Sequence, residues 1–163
     1  MKGKWGYGDW LRECFCILCL LWSLYPLLFI GELPEGASVP KHYNFRGEVD
    51  SWGSIHWLYL PPILSFVLYI VLSVLERMPK ILNYPVKVTE NNREMLYMMA
   101  VKMLRAEKVL CMFTMGLVNH VSYSAVTGSG GSCGWMIGVS VCAIIAPALY
   151  YTFKMITNGK RYE

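Results

Sequence analysis

Four long stretches without a formal charge dominate this chain: Cys14 to Ile30, Ile55 to Leu75, Val109 to Val126, and Cys133 to Ile156, where Lys154 is the first charged residue. Crossing about 30 Å of hydrocarbon takes roughly twenty helical residues, so each stretch is predicted to span a bilayer. At 55% hydrophobic residues over 163 positions, the chain holds more apolar side chains than a small soluble core can hide beneath a polar coat. The formal charge of +4 does not point to nucleic acid, because the basic residues fall in short clusters between apolar runs. The expected fold is all-α: one four-helix antiparallel membrane domain over residues 1–163. A secretory signal peptide is the competing reading of the first run. It is disfavoured by the length of the run, by Trp22 and Tyr25 within it, and by the lack of a small-residue cleavage site close behind.

Orientation follows the basic residues. Lys2, Lys4 and Arg12 precede the first run; Arg77, Lys80, Lys87, Arg93, Lys102, Arg105 and Lys108 fill the second connection; Lys154, Lys160 and Arg161 close the chain. The first connection has only Lys41 and Arg46, and the third has none. Both ends are therefore expected on the cytoplasmic side of the membrane. The aromatic residues fit that frame, with Trp5, Trp10, Tyr150, Tyr151 and Phe153 at the inner interface and Trp52, Trp57, Tyr59 and Trp135 at the outer one.

Pro26 and Pro147 are expected to kink the first and fourth helices, freeing the carbonyls of Trp22 and Ala143. Pro61 and Pro62 stand early enough to start or bend the second helix. The third helix is expected to begin at Asn91, capped there with Glu94 three positions on, and to run about 54 Å to Val126 at 1.5 Å per residue. Its extension, 91–108, has a methionine-rich face and a basic face. It either lies along headgroups and packs on the inner end of the bundle, or docks a cytoplasmic protein. Thr127 to Ser132 is a flexible connector, and no internal repeat suggests two inverted halves.

The six cysteines sit in or near apolar runs and lack zinc spacing, so they read as packing residues without a metal or a disulfide framework. No cofactor is expected.

The connection from Leu33 to Gly53 is denser in special residues than a tether requires. It reads Leu33-Pro34, Val39-Pro40, His42-Tyr43-Asn44-Phe45, Gly47-Glu48, Asp50 and Trp52-Gly53 in order. Prolines fix extended approaches, glycines permit turns, and polar groups alternate with aromatic rings. This pattern, between a first and a second span, resembles the signature of a bacterial membrane-protein domain that also forms the N-terminal part of SdpI-like proteins, named for immunity to a sporulation-delaying toxin. The resemblance covers roughly 22–126. It implies a membrane domain, with immunity or signalling as the role of some members.

Candidate ligand-binding or structural residues are Pro40, His42, Asn44, Gly47, Asp50 and Trp52 in the loop, with Asn119 and His120 near the outer end of the third helix. His42, Asp50, His56 and His120 are polar enough to converge there as a structural network, as a surface for an external peptide or small molecule, or as a metal or acid–base site. The third option is short of ligands, because only three histidines exist and no H-E-x-x-H accompanies them. Three functions compete: a non-enzymatic protein that senses or resists an external molecule, a small transporter or ion-handling subunit that would work as a homo-oligomer, and an outer-leaflet enzyme using His42, Asp50 and His120.

Overall fold

A computed structural model describes residues 6–44, 46–129 and 134–159. Lys2, Lys4, Trp5, Phe45, Gly130, Gly131, Ser132, Cys133, Lys160 and Arg161, which enter the sequence reading, lie outside the described residues. The described elements are α1 (Tyr7–Leu24), a 3-10 helix (Tyr25–Glu32), β1 (Ser38–Tyr43), β2 (Val49–Ser54), a 3-10 helix (Ile55–Tyr59), α2 (Leu60–Arg77), a short 3-10 turn (Pro79–Ile81), α3 (Arg93–Thr127) and α4 (Gly134–Gly159). Four helical stretches, Tyr7–Glu32, Ile55–Arg77, Arg93–Thr127 and Gly134–Gly159, are long and apolar enough to cross a membrane, compatible with a multi-pass membrane protein.

The centre of the molecule is α3, which packs against α1, α2 and α4 in turn, whereas α1 and α2 touch one another only thinly. α1 and α3 run in the same direction, and α2 and α4 run against them. One apolar cluster forms around Cys16, Cys19 and Met112, with Leu68 and Phe113 against it. A second lies further down α3, where Leu96, Ala100 and Met155 are buried with Leu82, Tyr84, Val86, Met95, Met99 and Met103 around them. The methionine-rich face of the extension is thus covered by the chain's own 78–92 connection and the end of α4. Met98 remains exposed on another face.

Several expectations are corrected. The connection between the first two spans is a two-stranded antiparallel sheet, so the fold is not purely helical. The first helix begins at Tyr7, seven residues before the apolar run, because the Gly6 amide donates to the Asp9 carboxylate at 3.0 Å and starts the helix among charged residues. Pro26 does not simply kink it. The chain tightens into a 3-10 helix, and the Trp22 carbonyl expected to be free accepts the Tyr25 amide instead. In that 3-10 register the Ser23 carbonyl would bond to residue 26, which is proline and has no N–H. Pro147 is accommodated within one continuous α4. Pro61 and Pro62 stand in the first turn of α2, as expected. α3 starts at Arg93, not Asn91. The buried amide is that of Asn92, whose oxygen accepts the Thr89 amide at 2.8 Å and whose nitrogen donates to the Lys87 carbonyl at 3.0 Å, so it braces the preceding turn.

Candidate functional site

Two polar assemblies occupy opposite ends of the bundle. The first is the β-hairpin. Pairing runs from Ser38 opposite Ser54 to Tyr43 opposite Val49, with two irregularities: Lys41 is extra on β1 and Asp50 is extra on β2. Such bulges re-aim side chains. Here they place His42 and Asp50 on one exposed face, where the imidazole Nδ1 donates to the Asp50 carboxylate at 2.6 Å. The two side chains are 68% and 43% exposed, so the pair is open to solvent or to a ligand.

The turn between the strands is built by Asn44. Its backbone amide donates to the Glu48 carbonyl and its own carbonyl accepts the Gly47 amide, both at 2.9 Å. Its side-chain oxygen accepts the amides of Arg46 at 2.8 Å and Glu48 at 3.1 Å. Gly47 takes φ +77°, a left-handed conformation, and lies backbone to backbone against Gly134 and Trp135; a side chain at Gly47 or Gly134 would overlap the other segment. Pro40 and Val39 are buried beneath the sheet, and Trp52, opposite Pro40, is exposed. Gly53 lets the Trp57 ring lie on the strand, and the Lys41 ammonium stands 4.8 Å above that ring. The Tyr43 ring turns towards α3 with its hydroxyl buried beside Ser122, and burial pushes its phenol pKa up.

Asn119 and His120 have separate roles. Asn119 is fully buried, and its amide donates to the Ser23 carbonyl at 2.6 Å, supplying the bond that Pro26 cannot give. His120 is exposed on the neighbouring face with its ring 5.7 Å from Trp22. His56 stacks on Tyr59 at 6.2 Å. The structure brings His42 and Asp50 together and gives His56 and His120 other partners. Among the described residues no three His, Cys, Asp or Glu side chains are grouped to hold a metal ion.

The second assembly went unrecognised in the sequence. At the opposite end, α1 presents Asp9 and Glu13, four residues apart; α2 presents Tyr69, Ser73 and Glu76; α3 presents Arg105 and Lys108, three apart. Lys108 makes ion pairs with both Glu13 and Glu76 and donates to the Ser73 hydroxyl at 3.3 Å, and its side chain is only 3% exposed. Lys108, at the end of the 91–108 extension, therefore faces the bundle and not a basic outer face. Arg105 bonds Asp9 at 2.8 Å and Glu76 at 3.2 Å, Arg12 pairs with Asp9, and the Tyr69 hydroxyl donates to Glu13 at 2.8 Å. Asp9, Glu13 and Glu76 balance Arg12, Arg105 and Lys108, so the cluster carries no formal charge. The space they enclose, about 10 Å³, is no larger than one water needs. The arrangement ties three helices together. The helical spacing puts Asp9 with Glu13, and Arg105 with Lys108, on one face each, which is the part of the arrangement that a single segment carries.

No protein-family model matches the chain, and no solved structure matches it. Among curated proteins it is similar to one from Archaeoglobus fulgidus named "Uncharacterized protein", at 37% identity over 83 residues, covering 46% of this chain and 44% of the relative. The matched stretch thus spans less than half the length of that relative.

Proposed function

We propose that this chain is a non-enzymatic protein of the bacterial cytoplasmic membrane, both ends inside, that recognises an external peptide or small molecule through its hairpin and passes the event along α3. One observation carries this reading: a single uninterrupted helix joins the seat of the hairpin, where Tyr43 meets Ser122, to the ion cluster at Arg105 and Lys108. A rigid element in contact with both ends can carry a displacement from one to the other. The resemblance to SdpI-like proteins agrees with this role, and the exposed His42–Asp50 pair with Trp52 is the recognition surface.

The test is expression in a host sensitive to secreted peptide toxins. Protection by the intact protein, lost in His42→Ala or Asp50→Ala at equal membrane abundance, is the expected result. Equal sensitivity with and without the intact protein would count against immunity. A reporter fused after Glu163 should be active only on the cytoplasmic side.

The ion cluster favours a second reading, an ion-handling subunit, since intramembrane ionisable groups often mark such paths. Cys16, Cys19 and Met112 fill the next layer of the same interface, so a path would have to open there. Proton flux into vesicles that depends on Glu13 and Glu76 would support it over recognition.

A further inference from the structure

We infer that the turn after α2 and the adjoining face of α3 form a binding surface for anionic lipid headgroups. This rests on the membrane reading above. The Arg105–Glu76 bond fixes where α2 ends beside α3, and the 3-10 turn Pro79–Ile81 continues along α3 from that level.

At 100° per residue, Met98 and Lys102 lie within about 60° of Arg105, on the face that α1 and α2 cover only as far as their own ends. Beyond those ends the face is open. Met98 is 57% exposed, and in the segment that follows α2 and runs along α3 Met78 and Ile81 are 47% and 58% exposed. Arg77 and Lys80 are exposed in the same segment as Met78 and Ile81, and Lys102 is exposed on α3 one turn from Met98. Lys102 is six residues from Lys108, a drop of about 9 Å, which keeps it within the headgroup layer if the ion cluster marks its upper boundary.

Apolar side chains open to the interface, interleaved with cations at the end of a spanning helix, fit a surface that is greasy on one side and negatively charged on the other. Lipid phosphate esters with a net negative headgroup have that chemistry. Neutral headgroups match the apolar side chains but leave the three cations with water. The carboxylates of this region do not remove the preference: Glu76 is engaged with Arg105 and Lys108, and Glu94 lies two turns beyond Lys102.

The experiment reconstitutes the full chain into vesicles of phosphatidylcholine containing increasing phosphatidylglycerol and measures which lipid the protein retains. The parent should enrich phosphatidylglycerol several-fold, less at high salt. Arg77→Gln/Lys80→Gln/Lys102→Gln should lose that enrichment while keeping the parent's thermal stability in pure phosphatidylcholine. Each cation is expected to contribute up to about fivefold. Incorporation without lipid preference, or unchanged preference in the triple variant, overturns the surface alone. Failure to incorporate into either vesicle overturns the membrane reading with it. Capture of a poly-glutamate peptide without any lipid preference would reassign the surface to an acidic protein partner.

Discussion

The hairpin end and the charged end of this bundle solve the same problem, polar groups at the boundary of an apolar helix bundle, in opposite ways. At the hairpin, polar side chains bond to their own neighbours: Asn44 closes its turn within four residues, and His42 meets Asp50 across eight. The bundle is approached by backbone, at Gly47 against Gly134, and by the Tyr43 ring beside Ser122. At the charged end the partners are up to 96 residues apart in sequence, and Lys108, Glu13 and Glu76 are held between helices with Arg105 and Asp9 half-buried around them. Local bonding leaves charged side chains exposed for another molecule, whereas long-range bonding consumes them in holding the helices together.

The sharpest way to break this contrast is Lys108→Met, which leaves Glu13 and Glu76 without their shared counter-ion. Unfolding in detergent should show a loss of about 3–5 kcal/mol, and adding Glu13→Gln and Glu76→Gln should restore much of it, because a neutral set no longer needs the ammonium. A single variant as stable as the parent would mean that the clamp is not structural.

Next in size, Gly134→Ala sets a methyl group on the Gly47 carbonyl and should lift the hairpin tip at a cost of about 1–3 kcal/mol. Faster hydrogen exchange at Gly47 and Glu48, with the charged end unchanged, is the expected signature. Asn119→Leu tests the junction between the ends. Stripping the Ser23 carbonyl of its donor should cost about 1–2 kcal/mol.

The smallest effect lies in the 78–92 connection, where burial, with the nearby Tyr97, pushes the Tyr84 phenol up to about 12. Its hydroxyl donates to the Pro79 carbonyl at 2.8 Å. A tyrosine whose folded pKa is raised contributes stability that is whole below about 10 and fades as pH climbs towards 12. Alkaline unfolding of Tyr84→Phe should therefore show a shallower loss across that window than the parent.

The helical stretches were legible because uncharged length is a property of one segment, and the prolines of α2 because first-turn amides have no partners to lose. The β-hairpin was legible only as a loop rich in turn residues, since its strands are short and Pro40 masks their alternation. Asn92 took the structural position expected of Asn91, a one-residue difference that depends on which amide reaches back to Lys87. The ion cluster escaped because Glu13, Glu76 and Lys108 flank the apolar runs and read as boundary charges. Their burial appears only when three helices are set side by side. The same limit separated Asn119 from its neighbour His120, since only the position of Ser23 tells which of the two faces inward.

α4 is attached differently from the other three helices. Its packing is almost entirely on α3, and it is the least buried of the four helices. α1, α2 and α3 already share the ion cluster and the Cys16–Met112 contacts before α4 is added. During synthesis, then, a three-helix unit can close before α4 is added. α4 joins a finished wall, meeting the waiting hairpin tip at Gly134 and the 78–92 strap at Met155.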